Sequence, residues 1–294
     1  VLKGLVASIT ASLLFGVLYY TAPLLAPLDG EQIFGWRILA TVPFTTLLLI
    51  QNPTARRQLR LLVWRVRHHP RLVLGLLAST AMLGVQLWLF MWAPLHGRGL
   101  PVSLGYFLLP LVMVLAGRLL YRERLTRLQC VATALAAMGV LHEVWRAGGM
   151  SWEVWLVAVG YTVYFVVRRT LRTDHLAGHW LDMLLLVPAA WWFVLRAPSS
   201  VPLVTESPHL WLMVPVLGIV SAVALALYMA ANRLLPMGLF GLLSYVEPVL
   251  LALAAFLLGE RIAAQQWLTY GPIFAAVAVL MVDSVLRLRR EQAL

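Results

Sequence analysis

The chain has 294 residues, 62% of them hydrophobic and 12% charged, with a mean hydropathy of +0.85. Soluble domains carry about a quarter charged residues, so this composition excludes an ordinary soluble enzyme, a disordered chain and a collagen-like fibre. It leaves a protein embedded in lipid. The net charge of +11 does not point to nucleic acid, because the basic residues cluster in short gaps between long apolar runs, where they orient a membrane protein. With Cys130 as the one cysteine, no internal disulfide and no cysteine-only metal site can form, and no metal or cofactor is expected. The opening residues carry no cleavable-leader pattern.

A helix needs about 20 apolar residues to cross a bilayer core. Ten such runs are predicted, at roughly 3–25, 32–51, 71–93, 102–121, 127–145, 152–170, 178–196, 209–231, 238–258 and 265–286. In the first, Gly4, Ser8, Ser12 and Gly16 recur every fourth residue, a spacing of small side chains that lets helices approach closely. In the second, Arg37 stands about one turn inside the outer end, six residues after Glu31. It either anchors an anionic group of a solute or snorkels to pair with Glu31. The connector at about 52–70 places Leu59, Leu62, Val63 and Val66 on one helical face and Arg57, Arg60 and Arg67 on another. It reads either as a short helix on the lipid surface or as a basic orienting loop. Trp88 and Trp92, one turn apart in the third run, line a cavity or face lipid, whereas Trp36, Trp64, Trp145, Trp152, Trp155, Trp180, Trp211 and Trp267 fall near run ends and read mostly as interfacial belts.

Charge inside the hydrocarbon is expensive, so each instance is a functional candidate. Glu247, about ten residues into the ninth run and directly before Pro248, offers proton carriage, pairing with a cation, or an uncharged hydrogen bond. Asp182 and Asp283 stand near the ends of their runs, where solvation or helix capping accounts for them. Gln86, Tyr106, Tyr164, Tyr228, Ser244 and Tyr245 supply neutral hydrogen bonds, and with Trp and Phe would suit a small, partly aromatic solute. Glu123 and Glu260, each beside arginine at a helix end, read as structural.

With a cytoplasmic amino terminus, eighteen of the 23 Lys and Arg fall inside and four (Arg98, Arg146, Arg196, Arg261) outside, with Arg37 near a helix end. Both termini are therefore assigned to the cytoplasm. The fourth and ninth runs are alike: Tyr106-Phe107-Leu108-Leu109-Pro110 leads to Glu123 thirteen residues beyond the proline, and Tyr245-Val246-Glu247-Pro248 leads to Glu260 twelve beyond. Pro110 and Pro248 each remove a backbone hydrogen bond within their runs. The likeness divides the chain into two five-helix halves, 1–146 and 147–294, and an odd number of crossings per half inserts the second upside down. Such inverted repeats underlie alternating access, with a solute site near the midplane.

Catalytic signatures are missing. His142-Glu143 lacks the second histidine of a zinc-protease helix, and neither a nucleophile elbow nor a phosphate-binding loop occurs. No filter-like segment suggests a channel. A non-transporting intramembrane enzyme, or a sensor of lipidic or small-molecule ligands, is the alternative reading.

Ser103-Leu104-Gly105-Tyr106-Phe107 with Pro110, Tyr164 with Arg168, Gly218-Ile219-Val220, Tyr245 with Pro248, Gly259-Glu260 and Asp283 together resemble the RarD branch of the EamA family, within the drug/metabolite transporter superfamily. The resemblance runs over nearly the whole chain. It implies an all-α polytopic membrane protein with ten transmembrane helices in two inverted five-helix repeats, lodged in the bacterial plasma (inner) membrane. It implies movement, often export, of small metabolites or drugs. The chain departs from the branch pattern at Tyr19 (proline expected), Pro101 (an acid expected), Leu109 and Gln86 (asparagine expected) and Glu247 (more often glycine). The expected partners are a small organic solute and the bilayer, with no nucleic acid, and the carrier is a monomer or homodimer. Arg37, Gln86, Trp88, Tyr106, Tyr164, Ser244, Tyr245 and Glu247 are the expected solute-binding residues, with Glu247 the candidate for proton coupling.

Overall fold

Local chemistry decides where the apolar runs start and stop. Asp29 accepts from the Gln32 amide at 2.8 Å while the Gln32 side chain accepts from the Asp29 amide at 3.0 Å, a reciprocal cap that satisfies two otherwise orphaned donors. Thr126 and Gln129 repeat the device, and Asn52 accepts from the Thr54 and Ala55 amides. Gly97, Gly148 and Gly259 stop the helices before them in the left-handed region, at φ of 61°, 76° and 94°, which costs a residue without a Cβ little.

The computed structural model describes residues 2–121, 126–197, 199–235, 243 and 245–292, and among these every regular element is helical. In chain order they are α1 (Leu2–Thr21), α2 (Gly30–Gln51), α3 (Pro53–His68), α4 (Arg71–Leu95), α5 (Gly99–Tyr121), α6 (Arg127–Ala147), α7 (Trp152–Leu171, with a π-turn at Leu156–Gly160), α8 (Leu176–Arg196), α9 (Ser200–Glu206), α10 (Pro208–Leu234), α11 (Val246–Leu257) and α12 (Trp267–Gln292). Nine helices among the described residues are long and apolar enough to cross a membrane. The ninth predicted run is represented by α11 alone, 12 residues long, or about 18 Å against a core of about 30 Å; most of the preceding residues, and Ser244, lie outside the described residues. The 52–70 connector is a helix, α3.

Packing divides the chain into two units: Val1–Gly16, Gly97–Thr162 and Ala230–Leu294 in the first, Val17–His96 and Val163–Met229 in the second. Within the first unit α6 lies along α12, and α5 along α11 and the π-turn of α7. Its core joins Leu104, Phe107, Leu111, Ala132, Tyr245, Tyr270 and Ile273. Glycines set the close approaches: a Cβ on Gly139 would stand 2.6 Å from the Thr269 carbonyl oxygen, and one on Gly105 3.0 Å from that of Val154. The small residues of α1 serve the same end, since a Cβ on Gly4 would meet Leu235 and one on Gly16 would meet Leu250, while Ser8 and Ser12 are buried. Within the second unit α2 lies along α8, with α4 against both. Here Gly218 seats α10 on the backbone of Ala40, and Gly35 seats α2 on that of Ala190.

Pro110 lies inside α5, as expected. Pro248 is instead the third residue of α11, in the first turn, where a missing N–H removes no intrahelical bond. This corrects the expectation of a mid-helix break within the described helix. Trp64, Trp145, Trp152, Trp155, Trp211 and Trp267 are exposed, as belt residues would be. Trp36 and Trp180 are half-buried and donate to Ser200 Oγ at 3.1 Å and Thr46 Oγ1 at 2.8 Å.

Candidate functional site

The second unit carries two polar assemblies within apolar helices. The first forms around Arg37, which α2 holds at 5% exposure. Its Nε donates to Ser221 Oγ of α10 at 3.0 Å, and its guanidinium lies 5.2 Å from the centroid of Phe90 on α4. Phe90 meets the Tyr19 ring edge-on at 5.0 Å, and buried Gln86 is one turn before it. A guanidinium over an aromatic face in a water-poor setting is a cation–π contact of about 2 kcal/mol. Trp88 continues a ring stack along α4, 5.6 Å from Trp92, which in turn stacks on His96 at 4.1 Å.

The second assembly centres on Asp182 of α8, which is fully buried. One carboxylate oxygen accepts from Thr80 Oγ1 at 2.9 Å and Ser79 Oγ at 3.4 Å, both on α4; the other accepts from Tyr164 OH at 3.3 Å and from the guanidinium of Arg168, both on α7. Arg168 lies over the Tyr164 ring and also donates to the Thr173 carbonyl. This corrects the expectation that Asp182 is solvated or caps a helix: its run begins earlier than predicted, at Leu176, so the carboxylate lies nearly two turns deep. Below it, His175 caps α8 by accepting from the Gly178 amide at 3.1 Å. Burial, followed by the charge of Arg168, holds this histidine below its ordinary pKa, which keeps the ring nitrogen free to accept. Thr80 and Phe90 are ten residues apart on α4, so the two assemblies are separated by about 15 Å along it.

The first unit holds three of the remaining predicted residues. Tyr106 and Tyr161 meet hydroxyl to hydroxyl at 3.3 Å, on α5 and on α7 just past the π-turn; π-turns inside α-helices are frequent at functional positions. Tyr245 is buried in the apolar core. Glu247 is half-buried in the first turn of α11, where the helix dipole favours a carboxylate. Ser244 lies outside the described residues. At the loop ends of this unit Glu260 takes the amides of Gly99 at 2.6 Å and Leu100 at 2.8 Å onto its two oxygens, capping α5. Buried Glu153 forms an ion pair with Arg98 at 3.0 Å. Asp283 is buried and accepts from Thr126 Oγ1 at 2.9 Å. The capping reading of Glu260 thus holds, but for a helix far away in sequence.

Sequence reasoning misread Asp182 and missed Ser79, Thr80 and Ser221. The adjacent hydroxyls of Ser79 and Thr80 and the one-turn spacing of Tyr164 and Arg168 were legible signals, but only packing reveals the carboxylate they share. A shallow apolar cleft of the second unit, bordered by Leu18, Thr21, Leu25, Met213, Leu217 and Val220, touches none of the predicted residues.

No protein-family model matches the chain. Curated relatives do. An uncharacterized transporter of Pasteurella multocida is 40% identical over 296 aligned positions, covering 99% of both chains. The chloramphenicol-sensitive protein RarD of Pseudomonas aeruginosa is 45% identical, covering 99% of this chain and 97% of its own.

The chain belongs to the RarD family of transporters.

Protein RarD of Escherichia coli is more distant, at 28% identity over 98% of this chain. Membership and the nine apolar helices make this RarD-family chain a multi-pass membrane transporter, so the buried charges of Arg37, Arg168, Asp182 and Glu153 belong to a transporter's interior. Among the described residues no group of three or more His, Cys, Asp or Glu is disposed to hold a metal.

Proposed function

We propose that this protein exports small organic solutes across the bacterial plasma membrane by alternating access, with 1–146 and 147–294 as inverted five-helix repeats and both termini cytoplasmic. The observation that carries the reading is a pairing rule inside the packing units. Counting only membrane-crossing segments, with α11 as the ninth, the pairs α2 with α8, α5 with α11, and α6 with α12 each join a segment to the fifth one after it. A duplicated five-helix ancestor folded about a two-fold axis gives this rule, and two repeats of that kind have two conformations of similar energy.

In this reading Arg37, Gln86 and Trp88 of the second unit bind the solute. Arg37 is the sharpest of them, because a buried guanidinium over Phe90 attracts an anionic or carbonyl-bearing, partly aromatic solute. Glu247, in the first turn of a short helix, carries the proton if export is proton-coupled.

The test is counterflow in proteoliposomes with radiolabelled aromatic amino acids, nucleosides and amphenicols. A carrier gives transient accumulation driven by unlabelled solute on the far side; Arg37→Gln lowers it at least about tenfold, the scale of a charge-assisted hydrogen bond of 1.5–3 kcal/mol. Glu247→Gln abolishes its pH dependence. Chemical alteration of the solute would favour the enzyme reading, and absence of counterflow across the panel would count against a carrier of these solutes.

A further inference from the structure

The outward face of α3 serves none of the roles described above. Its inward face is docked: Ala55 and Leu62 are buried, Leu59 packs with Leu49, Ala177 and Trp180, and Arg65 donates to the Leu171 carbonyl at 2.8 Å. That docking fixes the rotation of the helix. At 100° per residue, Arg57 and Trp64 lie opposite the docked face, with Arg56, Arg60 and Arg67 on the exposed line beside them. Trp64 is 56% exposed and Leu61 54%.

Two facts select the partner. No acidic residue occurs between Glu31 and Glu123, and none of the described ion pairs engages Arg56, Arg57, Arg60 or Arg67. Moreover α3 begins two residues after α2 ends and stops three residues before α4 begins. Both neighbours cross the bilayer, so α3 is confined to the membrane–water boundary. Guanidinium groups match phosphate oxygens in pairs, and an indole prefers the headgroup level.

We propose that the outward face of α3 is a binding site for anionic phospholipid headgroups, whose phosphate oxygens are taken by Arg56, Arg57, Arg60 and Arg67 with Trp64 seated at their level. An acidic protein or a nucleic acid would meet the same charges but would leave Trp64 and Leu61 in water. Attraction of this kind is worth roughly fivefold in binding per basic residue near the surface.

The experiment is lipid titration of the purified full-length protein in uncharged detergent, read by native mass spectrometry, with phosphatidylglycerol and phosphatidylcholine of matched acyl chains. The native protein retains phosphatidylglycerol preferentially, and raising salt from 50 to 500 mM shrinks the preference as screening tightens. The variant R56Q/R57Q/R60Q/R67Q loses it at least about tenfold, while Arg196→Gln, at the far end of α8, keeps it. Melting without added lipid reports whether the fourfold variant is folded. Equal retention of the two lipids by the native protein, a salt-insensitive preference, or an unchanged preference in the folded variant would each overturn the proposal. The readout is lipid retention, so its outcome is separate from that of the transport assays.

Discussion

Replacing Asp182 by asparagine keeps the shape of its site and removes the charge. Four donors converge on this carboxylate, from Arg168, Thr80, Ser79 and Tyr164, and side-chain exposure is 5% for Arg168 and zero for Asp182. The variant therefore leaves a buried guanidinium without a counter-charge, facing a neutral amide, backbone carbonyls and the Tyr164 ring. Breaking one side of a buried ion pair costs about 3–5 kcal/mol. At about 2–4 °C per kcal/mol for a chain near this size, melting in detergent should fall by roughly 6–20 °C. The pair itself is a different matter: exchanging both partners for apolar residues of similar volume is often neutral or stabilising, so D182L/R168M should recover most of the loss. Thermal melts followed by size-exclusion fluorescence measure all three. An asparagine variant melting within about 2 °C of the native protein, or a double variant less stable than the asparagine variant, would refute this account.

Glu260→Ala removes both acceptors of the Gly99 and Leu100 amides and should destabilise the start of α5 by about 1–2 kcal/mol, seen as faster amide exchange at Gly99, Leu100, Val102 and Ser103; unchanged exchange would contradict the cap. Gly218→Leu would drive a side chain into the Ala40 backbone, whereas Gly149 has nothing within 4 Å of a Cβ. The first should cost about 1–3 kcal/mol and Gly149→Ala almost nothing, a contrast that a melting comparison reads directly. His175 has a depressed pKa in the folded protein, so its contribution is fully present above the ordinary histidine value of about 6.5 and is lost as pH falls through the lower folded value. His175→Asn keeps a capping acceptor without the titration, and should flatten the dependence of melting temperature on pH below 6.5.

Much of the architecture was legible because lipid imposes its own grammar. The apolar runs are readable since backbone groups in hydrocarbon must be satisfied within a helix. Their ends are readable from caps such as Asp29–Gln32, which act over three residues. The 52–70 connector was readable as amphipathic, though choosing between helix and loop took the docked face of Leu59 and Leu62. Of the candidate polar residues, Arg37 was visible as a charge in an apolar run, but its companions Ser221 and Phe90 come from α10 and α4. Asp182 was misread because a two-residue difference in a predicted helix start moves a carboxylate from the interface toward the interior.

Sequence alone determined that this protein lives in lipid and which segments are long and apolar enough to traverse it, because those properties follow from transfer free energies summed over consecutive residues. Family membership was equally written in the order of residues along the chain. Tertiary structure alone decided which groups meet these acidic side chains: Asp182 found Arg168 and Thr80, Glu260 found the start of α5, and Glu153 found Arg98. In a low-dielectric interior the stability of a charge depends on groups within a few ångströms, and in a bundle those groups belong to helices far apart in sequence.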